Sequence, residues 1–312
     1  MQPKLTIGTR GSPLALVQAH WIRDRLAAAD PDLPAQAIRI EIFSTAGDRI
    51  QDRALAPIGG KGLFTQEIEA ALSDRRIDLA VHSMKDMPGH LPAGLALGPV
   101  PMREDPRDAL IARDARCLAD LPAAARVGTA SLRRQAQLLA RRPDLNISLL
   151  RGNVATRLSK VADGALDATI LACAGLSRLG METDLATPLA ITDMLPACGQ
   201  GALALELRAD DQAMRARLDA IADPIATACV TAERAALIRL GGDCRTPLGI
   251  HARIEDGVLR VEGELLSPDG RRRHQAQAAG AVAAAQDLGA QVGAVLHDAG
   301  GDLLDTLASG HA

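Results

Sequence analysis

Apolar and polar positions along this chain alternate, cluster and break in an order that occurs twice. Lys4 to Thr9 reads as a strand, followed by Gly8-Thr9-Arg10-Gly11-Ser12-Pro13 and a segment rich in Ala and Leu. Ser12 suits a helix N-cap and Pro13 a first helical position. The spacing predicts Leu14, Val17, Trp21 and Ala28 on one apolar face, and Pro31 and Pro34 end the helix. Ile38 to Phe43 alternates as a second strand. Ser44 to Gly62 is rich in Gly, Asp and Arg and includes Gly59-Gly60-Lys61-Gly62. Leu63 to Arg75 predicts a helix with Phe64, Ile68, Ala71 and Leu72 on one face, and Ile77 to His82 a third strand.

The second round starts with a strand from Arg126 to Thr129, where Val127-Gly128-Thr129 echoes Ile7-Gly8-Thr9. Ser131 caps a helix with Leu132, Ala136 and Leu139 expected inward. Ile147 to Leu150 and Leu166 to Ala172 are strands, with a helix from about Val154 between them. Leu166-Asp167-Ala168 echoes Ile77-Asp78-Leu79. Two such β-α-β-α-β rounds predict two α/β domains with parallel strands, whose strand ends can face a shared cleft. The first round has a long glycine-containing insertion at Ser44 to Gly62, which suggests a lid or binding loop. Ala202 to Leu207 is a strand expected to cross back to the first domain. From Asp223-Pro224 the pattern changes to a helix over Ile225 to Leu240, stopped by Gly241-Gly242. Strands over Leu248 to Ile254, Val258 to Leu266 and Arg271 to Ala278 follow, then a helix from about Ala283. The expected division is 1–101 with 197–221, 102–196, and a small α+β domain over 222–312.

Composition narrows the function classes. Of 312 residues 47% are hydrophobic but only 1% aromatic, so the core is aliphatic. A net charge of −3 and the scarcity of stacking side chains argue against a nucleic-acid binder. No apolar run reaches membrane-spanning length. Met1-Gln2-Pro3 runs directly into a strand, which leaves no room for a signal peptide. Five scattered cysteines without CxxC spacing indicate neither a zinc site nor a disulfide framework, and point to the reducing cytoplasm.

Candidate chemistry gathers where the third strand ends. His82, Ser83, Lys85 and Asp86 lie within five residues, at the kind of strand end where open α/β sheets bind ligands. A solvated Lys–Asp pair is the plainer reading. His82 and Ser83 point to opposite faces, so they do not form a base–nucleophile pair, and His82 suits a hydrogen-bonded support role. Arg133 and Arg134 fall in the first turn of the helix capped by Ser131, where cations oppose the helix dipole unless an anion intervenes. Arg10, Arg151 and Arg157 hold comparable positions, and Arg favours carboxylate or phosphate in a bidentate fork. Gly59-Gly60-Lys61-Gly62 lacks the Ser or Thr of a phosphate loop, and no GxSxG elbow is present. Cys173, in an expected strand, and Cys229, in an expected helix, read as core fillers. Cys244 follows two glycines among polar residues, which suits a free, working thiol.

Together these segments resemble the porphobilinogen deaminase family. The resemblance covers nearly the whole chain. It is carried by Thr9-Arg10-Gly11-Ser12-Pro13-Leu14-Ala15-Leu16, Gly59-Gly60-Lys61-Gly62-Leu63-Phe64, His82-Ser83-Met84-Lys85-Asp86, Arg103-Glu104-Asp105-Pro106-Arg107-Asp108, Leu132-Arg133-Arg134-Gln135, Arg151-Gly152-Asn153-Val154, Gly199-Gln200-Gly201 and Thr231-Ala232-Glu233-Arg234. It implies two periplasmic-binding-protein-like α/β domains around a cleft plus the small α+β domain. The implied enzyme joins four porphobilinogens head to tail into hydroxymethylbilane with release of ammonia. It also implies a dipyrromethane cofactor on a cysteine thioether, the cysteine matching Cys244, and Asp86 as the catalytic carboxylate. Ser83, Lys85, Thr129, Ser131, Arg133, Arg134, Arg151 and Arg157 are then expected to hold the cofactor, and Arg10, Gln18, Arg178 and Gln200 the substrate. Lys61 and Phe64 belong to the implied lid. The resemblance further implies a monomer that passes its product to the next tetrapyrrole enzyme, without metal, membrane or nucleic acid. Two departures stand out. Asp243 precedes Cys244 and should raise its thiol pKa. Ala130 replaces a serine, removing one hydroxyl contact. A non-catalytic two-domain receptor for an anionic small molecule is the alternative.

Overall fold

The computed structural model describes residues 3–45, 47, 65–242 and 246–308. Lys61, Phe64 and Cys244, with nearly all of the expected Ser44–Gly62 loop, lie outside the described residues. The described residues divide into two compact units. One takes the chain up to Arg103 together with Ala202–Thr227, the other Glu104–Gly201 together with Ala228–Ala312.

In chain order, the first stretch gives β1 (Leu5–Arg10), α1 (Pro13–Ala29), β2 (Ile38–Phe43), α2 (Gln66–Ser73), β3 (Leu79–Ser83) and β4 (Leu95–Leu97). The second gives β5 (Asp108–Ala112), β6 (Arg126–Gly128), α3 (Leu132–Arg141), β7 (Asn146–Ser148), α4 (Val154–Ala162), β8 (Ala168–Ala172), α5 (Cys173–Arg178) and β9 (Ala186–Pro188). Then come β10 (Leu203–Arg208), α6 (Gln212–Asp219), α7 (Pro224–Leu240), β11 (Leu248–Glu255), β12 (Val258–Leu266), β13 (Arg273–Ala281) and α8 (Ala285–Ala308), which kinks at Gly300.

The first unit's sheet has the order β2-β1-β3-β10-β4, and the second unit's larger sheet β7-β6-β8-β5-β9. β1 lies parallel to β2 and β3, and β6 parallel to β7 and β8. β10 runs antiparallel to β3 and β4, and β5 antiparallel to β8 and β9. The expectation of parallel sheets is therefore corrected to mixed ones. Each antiparallel strand enters its sheet from a chain crossing between units, and side-chain periodicity carries no strand direction.

Both sheets share a packing device that explains the echoed sequence. A Cβ on Gly8 would overlap Ile77, and a Cβ on Gly128 would overlap Leu166. Asp78 accepts the Thr6 N–H at 2.8 Å, and Asp167 accepts the Arg126 N–H at 2.7 Å. So a glycine lets the third strand's lead-in cross the first strand closely, and an aspartate clamps it.

Two helix faces differ from those expected. On α1 the buried positions are Ala15, Gln18, Ala19, Ile22 and Leu26, while Val17 and Ala28 are exposed. An Ala- and Leu-rich helix offers more than one apolar stripe, and packing on Leu5, Ile7, Leu79 and Val81 selects this one. On α3 the buried positions are Arg133, Arg134, Ala136, Gln137 and Leu138, whereas Leu132 and Leu139 are half-buried. Its inward side is polar because polar partners wait there. Cys173, expected in a strand, opens α5 instead, directly after β8 with no side-chain cap to mark the change.

The third sheet, β11-β12-β13, is antiparallel. Its inner face packs with α7 and α8 through residues such as Leu237, Ile250, Leu259, Val261, Val292 and Leu296. α7 and α8 approach so closely that a Cβ on Gly289 or Gly293 would overlap the carbonyl oxygens of Ala232 and Ala236.

Candidate active site

In the first unit, β3 ends at Ser83 and one helical turn, Met84–Asp86, follows. Met84 is buried, and its N–H donates to Ala202 O at 3.0 Å, while Met87 N–H closes the turn on Met84 O at 3.1 Å. Pinning Met84 inward turns Asp86 out into solvent reach and leaves Lys85 half-buried. Asp86 shares a pocket with Arg10, Ser12, Gln18, His82 and Ser83, with an empty volume of about 410 Å³ including its solvent-open part. Arg10 ends β1 and Ser12 caps α1, accepting the Ala15 N–H at 3.3 Å. Gln18 and Ser83 are joined, Gln18 Nε2 donating to Ser83 Oγ at 3.0 Å. A cation, a carboxylate and several neutral donors thus face one small volume.

Behind the pocket, His82 Nε2 lies 3.2 Å from Glu206 Oε2, so His82 does have the support role expected of it. Glu206 is fully buried on β10, and burial, reinforced by Glu206, pushes up the carboxyl of neighbouring Glu69. Neither acid announced itself in sequence, because each sits in an otherwise ordinary apolar or helical run.

In the second unit, Ser131 caps α3, accepting the Arg134 N–H at 3.4 Å, and Thr129 Oγ1 accepts the Ser131 N–H at 3.1 Å. An anion does meet the two arginines, and it is the chain's own Asp108. Arg134 Nη2 lies 2.7 Å from Asp108 Oδ1, and Arg133 Nη1 lies 2.8 Å from Oδ2. Arg134 Nη1 also donates to Ile170 O at 2.9 Å and Arg133 Nη1 to Leu195 O at 2.7 Å. Burial alone would push the Asp108 carboxyl up, but the two guanidiniums outweigh it and hold it well below the usual carboxylate range. Gln200 is 1% exposed and donates to Asp108 Oδ1 at 3.1 Å and Pro106 O at 2.8 Å.

This core, two guanidiniums on one carboxylate, keeps a positive charge, and further cations surround it. Arg157 donates to Gly152 O at 3.0 Å. Burial, with Arg134 and Arg151 as neighbouring cations, pushes its pKa down to about 10. A guanidinium crowded by two others is favourably placed for an incoming carboxylate. Arg178 donates to Gly201 O at 2.7 Å and is pushed down to about 10 by burial, against the pull of Glu104. The structure therefore gathers Arg10, Gln18, Ser83 and Asp86 in one place, and Thr129, Ser131, Arg133, Arg134, Arg151 and Arg157 in another. Asp108, the hub of the second group, was missed: its partners lie 26 and 92 residues away.

Residues 5–216 match the family described as "Porphobilinogen deaminase, dipyromethane cofactor binding domain". Residues 227–298 match "Porphobilinogen deaminase, C-terminal domain". A porphobilinogen deaminase of Nitrobacter winogradskyi is 51% identical over 98% of this chain and 96% of its own. One from Phenylobacterium zucineum is 50% identical over 97% and 98% respectively. Among solved structures, a nutrient binding protein from Burkholderia cenocepacia bound to methionine overlays with a TM-score of 0.44 at 16% identity, covering 75% of this chain and 95% of that one.

Proposed function

We propose, for a chain that belongs to the porphobilinogen deaminase family, that Asp86 is the carboxylate around which substrate pyrroles react. Membership makes the protein a hydroxymethylbilane synthase, a transferase of tetrapyrrole biosynthesis, and sets aside the alternative of a non-catalytic binding protein. The observation that carries the reading of the site is the pocket that Asp86 shares with Arg10, Ser12, Gln18 and Ser83. Porphobilinogen brings two carboxylates, a pyrrole N–H and an aminomethyl group. Arg10 can fork a carboxylate, with Ser12, Gln18 and Ser83 supplying neutral hydrogen bonds. Asp86 can accept the pyrrole N–H and face the positive charge left when the C–N bond breaks and its electron pair leaves with nitrogen. One C–C bond then forms, and the displaced ring proton leaves with the ammonia. A fixed carboxylate favours both the developing cation and that proton's departure.

The dipyrromethane cofactor, when bound, supplies the first acceptor pyrrole carbon. The residues present fit it: Arg134 and Arg151 crowd Arg157, so three cations face one region. Arg133 and Arg134 act there through the charge that Asp108 leaves over, with Ser131 and Thr129 holding the helix start. Lys85 and Ser83 are assigned to the cofactor as well, and Arg178 and Gln200, which brace the Gly199–Gly201 turn, to the substrate. The attachment assigned is a thioether on Cys244, supported by the two preceding glycines. Two of the rival thiols are poorer: Cys229 is buried, and burial pushes Cys173 up to about 11. Lys61 and Phe64 keep the lid role on the resemblance alone. A monomer in the cytoplasm, handing its product to the next tetrapyrrole enzyme, completes the reading. Among the described residues no helix is long and apolar enough to cross a membrane.

The test is the intact mass of the purified protein. It should exceed the sequence mass by two deaminated porphobilinogen units and colour with Ehrlich's reagent. Cys244→Ser should lose the added mass and the activity together. An adduct on Cys173 or Cys198, or full turnover without an adduct, would refute the assignment.

A further inference from the structure

Glu233 is a fully buried carboxylate within α7, and nothing in the proposed chemistry uses it. Its Oε2 accepts the Gly199 N–H at 2.7 Å and its Oε1 the Ala252 N–H at 2.8 Å, while His251 Nδ1 lies 3.6 Å from Oε1. A buried charge is costly, and an apolar side chain would fill a helix position without that cost. Glu233 thus ties α7 to β11 and to the turn Gly199-Gln200-Gly201.

That turn has an unusual shape. Gly199 has φ +69° and Gly201 φ +87°, and a Cβ on Gly201 would overlap the Glu104 carbonyl oxygen. Gly201 O accepts from Arg178 Nη2 at 2.7 Å and from the Glu104 N–H at 3.2 Å. Between the two glycines, Gln200 sends its amide to Pro106 O and to Asp108 Oδ1. The same Asp108 oxygen takes both Arg134 Nε and Nη2.

We propose that Glu233 is a positioning residue for the arginine pair at the start of α3. It holds the Gly199–Gly201 turn so that the Gln200 amide meets Asp108, and Asp108 in turn sets Arg133 and Arg134. The proposal rests on the reading of those arginines as part of the seat for pyrrole carboxylates.

The experiment is a double-mutant cycle in the full-length holoenzyme with Glu233→Gln, Gln200→Ala and both together. In Glu233→Gln the KM for porphobilinogen should rise about tenfold, with kcat changing less. The double variant should be little worse than Gln200→Ala alone, because both changes break one chain of contacts. Additive effects on KM, or an unchanged KM with only a lower melting temperature, would overturn the proposal. Should Glu233→Gln not fold, Glu233→Asp, which keeps the charge on a shorter stem, takes its place. Amide hydrogen exchange on the same proteins needs no activity. It should quicken at 199–201 and at the start of α3 while β12 keeps its protection. Uniform quickening, or none at α3, would also overturn it. A wild-type chain that consumes no porphobilinogen would refute the functional reading instead, and the exchange result would still decide the role of Glu233.

Discussion

Asp108 is wholly out of solvent, forms an ion pair with Arg133, and accepts hydrogen bonds from Arg134 and Gln200. Removing its charge would leave two buried guanidiniums facing each other. Asp108→Asn should therefore destabilise the protein by about 3–5 kcal/mol in urea at pH 7, the usual result of breaking a buried ion pair. The pH dependence has a definite sign. The folded Asp108 carboxyl titrates below its unfolded value of about 3.9, so its contribution is present above that pH and is lost as pH falls through the folded value. The gap between wild type and Asp108→Asn should hold from pH 7 to about pH 4 and narrow below it. Asp86 is the opposite kind of residue, exposed at the end of a turn whose buried anchor is Met84. Asp86→Asn should leave the urea midpoint unchanged and lower kcat by about 10²–10⁴-fold. Retention of more than about a tenth of kcat would count against its role.

Within elements, glycine substitutions separate propensity from packing. Replacing a helical glycine by alanine ordinarily stabilises by about 0.5–1 kcal/mol. In α8 that should hold for Gly301, around which a Cβ would meet nothing within 4 Å. Gly289→Ala and Gly293→Ala should instead cost about 1–3 kcal/mol, because the new methyl would press on the α7 backbone. Thermal unfolding of the three variants checks both signs. The sequence showed where elements begin better than what they touch. β1, β2, β3 and β12 were legible because each carries a run of apolar or alternating residues of strand length. β4 and β9 have three residues each, and no echo or repeated order of elements marks them as it marks the equally short β6 and β7. β5 is only five residues, buried throughout, behind an Arg- and Pro-rich stretch that reads as loop. α6 has two buried apolar residues, Met214 and Leu218, and so no visible stripe. At the site, Arg10, Ser83 and Asp86 could be found because a strand end is a local signal. Asp108, Glu206 and Glu233 could not, since their meaning lies in partners distant along the chain.

The described residues form three sheets, and the first cannot be finished from its own end of the chain. β10 lies between β3 and β4, and among the described residues β4 pairs with no other strand. A fragment of residues 1–201 should therefore lack a cooperative unfolding transition for the first unit, and adding residues 202–312 in trans should restore it. Protection of β3 amides in the fragment alone would contradict this. The same insertion has a consequence for synthesis on the ribosome. Roughly 100 residues separate β4 from β10, so at about 5–20 residues per second the gap stays open for roughly 5–20 s. All five strands of the second unit's larger sheet, from Asp108 to Pro188, emerge within that interval. The middle of the polypeptide is thus free to fold while its beginning still waits, with the buried edges of β3 and β4 unpaired. For those seconds the nascent chain presents strand edges of the kind that invite wrong partners, and that is where its dependence on chaperones should concentrate.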